Sequence, residues 1–147
     1  MRVHGIGHVV LKVRDLSRSV PFYKDVLGLK EVARFPERRM VFFIIEDNHH
    51  DIALAETNAA APDAPAESPG LAHVALKVGD SLDELRDAKA WLAKHDVPIE
   101  REVDHTVSQS LYFRDPDGNQ FEFFVDNIEQ PWRQDPQLVA TGTPLTL

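Results

Sequence analysis

Two histidines stand at equivalent places in a repeated segment of the chain. The stretches 5–15 and 70–80 share seven identical residues in eleven positions, and His8 is matched by His73. Internal self-similarity indicates a duplicated module, so the two imidazoles are expected on equivalent faces of equivalent strands. Imidazole is a common metal ligand. A hydrogen-bonded structural role is the alternative for each histidine taken alone.

A carboxylate in an aromatic strand provides a third candidate ligand. In "NQFEFFVD" Glu122 lies among Phe121, Phe123 and Phe124. Burying an unpaired carboxylate is costly, so such a residue is usually paired or bound to a cation; an exposed place on an edge strand is the alternative. Two imidazoles and one carboxylate suit non-haem ferrous oxygen chemistry, and zinc accepts the same donors.

The elements that carry these residues repeat as well. Strict alternation in "IGHVVLKV" (6–13) and "LAHVALKV" (71–78) predicts two strands. Each is followed by an amphipathic stretch, which predicts a helix from near Ser17, as its N-cap, to Gly28 and another from Ser81 or Asp83 to Lys94. The remaining strands are expected at 30–35, 40–45, 51–55, 97–102, 108–114 and 120–125, with a turn at 115–119. The fold class is α+β, with two βαβββ modules.

The domain organisation follows from the repeat. A chain of 147 residues is the size of one domain. We predict a single domain at 1–126, made of module one (1–57), an Ala/Pro-rich linker (58–69) and module two (70–126). The tail at 127–147 contains three prolines and is predicted to be irregular, with Trp132 as its anchor.

Composition excludes several functional classes. The net charge of -8 and the absence of a basic cluster argue against nucleic-acid or anionic-membrane partners. There are no cysteines, so disulfides, thiolate metal sites and thiol nucleophiles are excluded. No apolar run approaches the roughly 20 residues of a membrane span, and the N-terminal residues lack the apolar region of a signal peptide. We expect a soluble, cytoplasmic protein.

Three motifs carry a family resemblance: "GHVVLKVRDLSRSVPFYKDVLGL", "LAHVALKV" and "YFRDPDGNQFEFF". Together they resemble the vicinal oxygen chelate superfamily, over nearly the whole chain except the linker and tail. The resemblance implies that the two modules form a half-open mixed β-barrel around a metal. It also implies that His8, His73 and Glu122 are the metal ligands.

Within that superfamily the chain looks closest to the one-domain extradiol ring-cleaving dioxygenases. In "NHHDIAL" the resemblance maps the acid-base histidine onto His50, and in "DHTVSQSLYF" it maps two substrate-binding residues onto His105 and Tyr112. Each of these residues has a simpler alternative role. His50 would be a surface histidine, His105 a loop histidine and Tyr112 a packed core residue. If Ala53 is the counterpart of Glu122, a regular strand would send His49 to the site face, so His50 needs a loop or bulge before residue 51.

The implied activity is Fe(II)-dependent cleavage of a catechol-type aromatic diol with O2. Manganese, zinc, nickel and cobalt remain alternatives for the metal, because the donors alone do not choose it. The resemblance also implies a homodimer or larger homo-oligomer. His4 and His95 are interpreted as structural or surface residues.

Other activities on the same scaffold stay open. Glyoxalase-like or epimerase-like enzymes of this superfamily generally take a fourth ligand from the last strand of module one, where this chain has Ala53, with Glu56 three residues later. A fosfomycin-type resistance transferase needs a cationic pocket, for which Lys12, Lys77 and Arg114 are the candidates. A metal-free drug-binding protein would have no use for the three ligands.

Overall fold

The computed structural model describes residues 1–65 and 67–147, which divide into two compact units, Met1–Ala66 and Glu67–Leu147. The division falls within the predicted linker at 58–69, of which residue 66 lies outside the described residues. Each unit contains one copy of the repeated strand.

The first unit follows the order strand, helix and three strands. The strands are β1 (Val9–Val13), β2 (Lys30–Phe35), β3 (Met40–Ile44) and β4 (Ile52–Glu56). α1 (Leu16–Pro21) continues into a π-helical turn (Phe22–Val26), and a short 3-10 helix (Pro36–Arg38) joins β2 to β3. The βαβββ order predicted for module one is therefore confirmed.

The strands of the first unit form one sheet in the order β1-β4-β3-β2. β1 and β4 are parallel and the other neighbours are antiparallel. Leu11 and Val13 are buried while Val10 is exposed, as the alternating pattern predicts. Beneath this sheet Tyr23 stacks on Phe43, with ring centroids 5.8 Å apart, and neither residue is accessible to solvent.

The start of α1 differs from the prediction. Its N-cap is Asp15, whose carboxylate accepts hydrogen bonds from the backbone N–H and the hydroxyl of Ser17, each at 2.7 Å. Ser17 was the wrong choice because the carboxylate two residues earlier accepts the hydrogen bond of the Ser17 N–H, which makes Asp15 the cap. Pro21 ends the α-helical geometry because it has no N–H to donate to the preceding turn. The helical segment stops at the predicted Gly28, whose φ is +71°.

The second unit repeats the order and extends it. Its elements are β5 (Val74–Gly79), α2 (Leu82–Lys94), β6 (Ile99–Asp104), β7 (Ser108–Arg114), β8 (Gln120–Asp126), a 3-10 helix (Pro136–Ala140) and β9 (Thr143–Pro144). The sheet order is β5-β8-β7-β6-β9, and β5 and β8 are parallel. The strand predicted at 97–102 lies at 99–104, while the one predicted at 108–114 is confirmed without a shift.

α2 has the predicted bounds because both its cap and its apolar face are local features of the sequence. Ser81 is the N-cap, and the Glu84 carboxylate accepts hydrogen bonds from the Asp80 N–H at 2.9 Å and the Ser81 hydroxyl at 2.7 Å. The Ser81 hydroxyl oxygen in turn accepts a hydrogen bond from the Glu84 N–H at 3.3 Å. The arrangement is a variant of the capping box in which the carboxylate meets the N–H one residue before the N-cap. Leu85 and Leu92 are fully buried, and α2 packs on β5, β7 and β8.

A tight turn sets the register of β8 and hence the position of Glu122. The Asp115 carboxylate accepts hydrogen bonds from the backbone N–H groups of Asp117 and Asn119, each at 2.8 Å. Gly118 has a φ of +89°, a conformation that glycine adopts without strain. The turn predicted at 115–119 is confirmed.

The predicted fold class, α+β with two βαβββ modules, is confirmed, and the open sheets agree with the predicted half-open arrangement. In the described ranges 1–65 and 67–147, the strands form one sheet of four and one of five, which are not closed into a barrel. The edge strands are β1 and β2 in the first sheet and β5 and β9 in the second. Closure would require hydrogen bonds between such edges.

The tail is less irregular than predicted. β9 pairs with β6 through Val103 opposite Pro144 and Asp104 opposite Thr143. Trp132, the predicted anchor, is 42% exposed and is covered by the Arg133 guanidinium, 4.3 Å from its ring centroid. The main-chain pairing holds the tail where the aromatic side chain was expected to do so.

In the part of the chain that the structure describes, no helix combines the length and the apolar character required to cross a bilayer.

Candidate functional site

The two repeated histidines occupy equivalent positions at the start of a strand. His8 immediately precedes β1 and His73 immediately precedes β5, so both lie one residue before the strands in which they were predicted. His8 is exposed and His73 is half-buried. The offset of 65 residues is therefore preserved in the structure.

In the second unit, His73 and Glu122 form a close pair. His73 Nε2 lies 3.0 Å from Glu122 Oε2, and Glu122 is only 7% exposed. The hydroxyl of Ser110 donates to Glu122 Oε1 at 2.5 Å. The strand register explains this arrangement, because Ala75 of β5 and Tyr112 of β7 flank Glu122 on β8. Both carboxylate oxygens are thus engaged by groups of the same unit.

Tyr112 lies beside this pair and is held on several sides. Its ring meets the His73 ring edge-to-face, with centroids 5.5 Å apart, and the Arg101 guanidinium lies 3.9 Å from the ring centroid. Tyr112 is 3% exposed. Burial, followed by the charge of Glu122 and a hydrogen bond to it, raises the pKa of Tyr112 to about 12. The phenol is therefore a hydrogen-bond donor over the neutral pH range.

His105 extends the cluster beyond Tyr112. Its Nε2 lies 2.9 Å from the Tyr112 hydroxyl, and its Nδ1 lies 2.7 Å from the backbone carbonyl oxygen of Thr141. The second unit thus brings together four of the residues singled out from the sequence: His73, His105, Tyr112 and Glu122. We call these four residues the unit-two cluster.

In the first unit, His8 lies against His50. Their ring centroids are 4.2 Å apart, and the Phe42 ring meets His50 edge-to-face at 5.3 Å. His50 lies in a loop before β4, so strand parity does not constrain it and the conflict with His49 disappears. Desolvation, and then the neighbouring His8 and His49, lower the pKa of His50. The neutral form of His50 is therefore favoured. The Nδ1 atoms of His49 and His50 lie 2.6 Å apart.

Two residues that the sequence analysis did not single out shape the loop around His50. The Asp51 carboxylate accepts hydrogen bonds from the Ile45 N–H at 2.8 Å and the Asn48 amide at 2.9 Å. The same amide group donates to the His50 carbonyl at 3.1 Å. These hydrogen bonds lower the pKa of Asp51. "Asn-x-x-Asp" in a loop is a recognisable turn pattern, but its link to His50 depends on the fold.

The other two histidines interpreted as structural or surface residues lie away from these contacts. His4 is exposed in the N-terminal segment. His95 follows α2 as its C-cap, and its Nδ1 lies 2.9 Å from the Trp91 carbonyl oxygen. Neither contacts the unit-two cluster through a hydrogen bond or ring contact found in the described residues.

The donor chemistry of the second unit suits a divalent cation. A buried carboxylate whose oxygen faces an imidazole nitrogen can exchange that contact for two bonds to a metal. Among residues 1–65 and 67–147 the structure gathers no group of three or more His, Asp or Glu side chains arranged to hold an ion. His73 and Glu122 are accordingly the part of the predicted ligand set whose mutual geometry is described.

Each unit is a βαβββ module with a parallel pair formed by its first and last module strands, and this defines a class of α+β domains built by duplication. Residues 5–123 match the family described as the Glyoxalase/Bleomycin resistance protein/Dioxygenase superfamily. Because that match covers most of the 147 residues, the chain belongs to this superfamily.

Several relatives of known activity are similar in sequence. Biphenyl-2,3-diol 1,2-dioxygenase 3 of Rhodococcus globerulus is 33% identical over 130 residues, which cover 86% of this chain and 65% of that protein. Catechol-2,3-dioxygenase of Bacillus subtilis (strain 168) is 35% identical over 137 residues, covering 88% of this chain and 44% of that protein. The chain therefore spans less than two thirds of the length of either dioxygenase.

Relatives with other activities are similar too. Metallothiol transferase FosB of Staphylococcus saprophyticus is 30% identical over 131 residues, covering 86% of this chain and 80% of that protein. A solved structure of a glyoxylase/bleomycin resistance protein/dioxygenase domain from Frankia sp. EAN1pec is 27% identical, with a TM-score of 0.72. That match covers 86% of this chain and 100% of the other.

Proposed function

We propose that this protein is an Fe(II)-dependent extradiol dioxygenase that cleaves the ring of a catechol-type aromatic diol with O2. One observation carries the proposal: the buried carboxylate of Glu122 and the half-buried imidazole of His73 form a pair beside the hydrogen-bonded Tyr112 and His105. Such a site offers ligands for a metal next to groups that can hold substrate oxygens. Similarity to two diol dioxygenases supports it.

In this proposal His8, His73 and Glu122 hold the metal. Two imidazoles and one carboxylate form the set expected for a ferrous oxygenase, with coordination positions left open. A ferrous ion bound there would supply Lewis acidity toward the diol hydroxyl groups and a redox centre for O2. The repeat and the family resemblance support His8 as a ligand. The 3.0 Å separation between His73 Nε2 and Glu122 Oε2 supports the other two ligands.

We assign His50 the role of acid-base residue. Its ring lies against His8, so a proton acceptor would stand beside a proposed ligand. Phe42 covers an edge of the His50 ring and limits access of water to it. A positioned imidazole of this kind typically contributes about 10²–10⁴-fold to a rate.

Tyr112 and His105 are proposed to bind the oxygens of the diol and to stabilise negative charge as it develops. The phenol of Tyr112 is buried and remains protonated near neutral pH because its pKa is raised. A preorganised donor in a site sheltered from water is worth more than the same donor in water. Ser110 supports the arrangement by holding Glu122 Oε1.

Transferase chemistry of the FosB kind is the second candidate. Its sequence similarity extends over most of the FosB chain. A phosphonate substrate, however, requires cationic side chains that are not already neutralised. Lys77 is paired with Asp80 at 2.5 Å and Asp126 at 2.7 Å, and Arg114 with Glu100 at 2.6 Å. Two of the three cationic candidates named from the sequence are thus already neutralised, which counts against the transferase.

An oxygen-independent lyase or isomerase is less well supported. Enzymes of that kind are expected to draw a fourth ligand from the last strand of module one. Ala53 occupies that place, and Glu56 is engaged by Arg39 and by the N–H of Leu16 at 2.9 Å. Neither residue offers an uncommitted metal ligand.

The proposal is tested by O2 uptake of protein loaded anaerobically with Fe(II) and given catechol, 3-methylcatechol or 2,3-dihydroxybiphenyl. We expect iron-dependent uptake in equal amounts with a yellow ring-opened product, followed by its visible absorbance. Glu122→Ala, treated in the same way, is the control. No uptake with any diol, in protein that binds metal through Glu122, would reject the dioxygenase; thiol-dependent consumption of fosfomycin would replace it with the transferase.

A homodimer or larger assembly and a cytoplasmic location remain predictions. Light scattering coupled to size-exclusion chromatography, with and without Fe(II), measures the assembly directly.

A further inference from the structure

The C-terminal segment Thr141–Leu145 lies along β6 and reaches the unit-two cluster. Beyond the β6–β9 pairing, the Leu145 N–H donates to the Glu102 carbonyl at 3.1 Å. The Thr141 hydroxyl lies 2.5 Å from the His105 carbonyl and 2.8 Å from the Thr106 hydroxyl. These contacts place the Thr141 backbone beside the His105 ring.

The Thr141 carbonyl determines which nitrogen of His105 carries the proton. A carbonyl oxygen accepts hydrogen bonds and cannot donate them. Because His105 Nδ1 lies 2.7 Å from this oxygen, Nδ1 must be the N–H donor. In the neutral imidazole the other nitrogen, Nε2, is then an acceptor. At 2.9 Å from Nε2, the Tyr112 hydroxyl is its donor.

This assignment gives the single phenolic hydrogen of Tyr112 a second acceptor besides Glu122. Tyr112 lies within hydrogen-bonding reach of Glu122 and Ser110 as well as His105. With the proton of His105 fixed on Nδ1, Nε2 competes for the phenolic hydrogen that Glu122 would otherwise receive. Glu122 Oε1 retains the Ser110 hydroxyl as its donor, and Oε2 faces His73.

We propose that the segment Thr141–Leu145 is a positioning element of the active site: its Thr141 carbonyl selects the Nδ1–H tautomer of His105 and thereby orients the Tyr112 hydroxyl toward His105 until substrate binds. The inference rests on the proposed function only in assigning Tyr112 and His105 to that site. Thr141 touches no reacting atom and acts through His105.

The first test measures the unaltered chain and uses a variant only to assign the resonance. Nitrogen-15 NMR of the metal-free, full-length protein at neutral pH distinguishes the two neutral tautomers of His105, with His105→Gln identifying the resonance. We expect the proton on Nδ1. A proton on Nε2 would overturn the proposal, because Nδ1 would then be unable to donate to Thr141.

Two shortened chains test whether the tail is the cause. A chain ending at Ala140 lacks the Thr141 carbonyl, and a chain ending at Pro144 keeps it, so the second is the matched control. The shorter chain is expected to lose the preference for Nδ1–H, whereas the control keeps it. An unchanged tautomer in a folded chain ending at Ala140 contradicts the proposal.

Thr141→Val is a second control, in a chain of unchanged length. It removes the hydroxyl contact to the His105 carbonyl but keeps the Thr141 carbonyl, so we expect the Nδ1–H tautomer to persist. Loss of that tautomer would show that the hydroxyl, and not the carbonyl, selects it. If the tail positions Tyr112, turnover of the chain ending at Ala140 falls about 10–100-fold, as for other supporting contacts, mainly in kcat, with metal content unchanged.

The outcomes separate this inference from the proposed function. A tautomer that responds to the tail, in a protein that turns over no diol, retains the positioning role and rejects the dioxygenase. Diol cleavage that is equally fast in all three chain lengths, with an unchanged tautomer, retains the dioxygenase and rejects the positioning role.

Discussion

The two modules have the same strand register but different side chains at corresponding positions. The repeated strand pairs with the last module strand through Val10 opposite Ala53 in unit one and Ala75 opposite Glu122 in unit two. Ala53 is thus the structural counterpart of Glu122. On the other side, Phe42 faces Ala53 just as Tyr112 faces Glu122.

This difference shows that the ladder of main-chain hydrogen bonds and the chemistry on its face are separable. Main-chain pairing is indifferent to whether a position carries a methyl group or a carboxylate, provided that the strand stays in register. In unit one the polar chemistry lies outside the sheet, at His8 and the loop residue His50. In unit two the strands themselves add two polar groups, Tyr112 and Glu122, to the histidines His73 and His105 that lie outside them.

The aromatic position illustrates the same point. Phe42 contacts His50 through its ring alone, whereas Tyr112 contacts His105 through its hydroxyl. A histidine lies beside the equivalent aromatic residue in both units. In unit two this contact is a hydrogen bond between Tyr112 and His105, whereas in unit one it is a contact between the rings of Phe42 and His50.

The largest expected effect is the loss of metal affinity on substitution of Glu122, compared with substitution of another carboxylate of the same sheet. Glu122→Gln removes the charge that the metal requires. We expect metal affinity to fall by more than the factor of about 10–100 that is typical for loss of a supporting contact, and turnover to be lost. Calorimetric titration with Fe(II) or Mn(II) measures it. Glu100→Gln, at an exposed ion pair with Arg114, is the control and leaves metal affinity unchanged. Stoichiometric tight binding by Glu122→Gln would refute the ligand assignment.

The next effect concerns the histidine of unit one. His50→Ala is expected to retain the metal but to lower kcat about 10²–10⁴-fold, because an acid-base group is removed without a ligand. Metal analysis and steady-state kinetics measure the two quantities separately. His95→Ala, which removes a histidine packed on Trp91, is the matched control. Equal kcat in both variants would remove His50 from the mechanism.

Making unit two resemble unit one at the aromatic position has a smaller effect. Tyr112→Phe keeps the ring and its contact with His73 but removes the hydroxyl that meets His105. We expect turnover to fall about 10–100-fold, and stability by only about 1 kcal/mol, the usual net value of one hydrogen bond. Kinetics and thermal unfolding of the same preparation provide the comparison. Undiminished turnover would show that the hydroxyl is not used.

The smallest effect compares the two helix starts. Hydrogen bonds from Ser17 lower the pKa of Asp15, and a backbone hydrogen bond from Asp80, followed by one from the Ser81 side chain, lowers that of Glu84. A carboxyl with a depressed folded-state pKa stabilises the fold above its unfolded pKa of about 4 and loses that contribution as pH falls. Urea unfolding measures the free energy of unfolding between pH 6 and pH 3. As the pH falls through the unfolded-state pKa of these carboxyls, this free energy should decline less for Asp15→Asn and Glu84→Gln than for the wild type. Parallel curves would exclude the caps as the origin.

Local sequence features predicted much of the fold. The helix start at Ser81, the glycine turn at 115–119 and the alternation of β1 and β5 depend on neighbours a few residues apart, and each is present. The predictions were wrong where two local signals competed, as at Asp15 and Ser17. The open sheets agree with the predicted half-open arrangement, although alternation alone does not encode which strand edges remain unpaired.

The candidate site was predicted unevenly for the same reason. The repeat identified His8 and His73, and the aromatic strand identified Glu122. Ser110 shares the parity of Tyr112, so it was accessible to the same reasoning. Nothing near Thr141 in the sequence indicates that it meets His105, 36 residues away.

What the sequence by itself determined is the duplicated module and the histidine that opens each copy, because residue identity and period-two alternation are properties of short segments. Only the tertiary structure decided that Glu122 faces His73 and that the tail reaches His105. Those contacts join residues that are distant in the chain, and their partners are selected by strand pairing and burial rather than by local pattern.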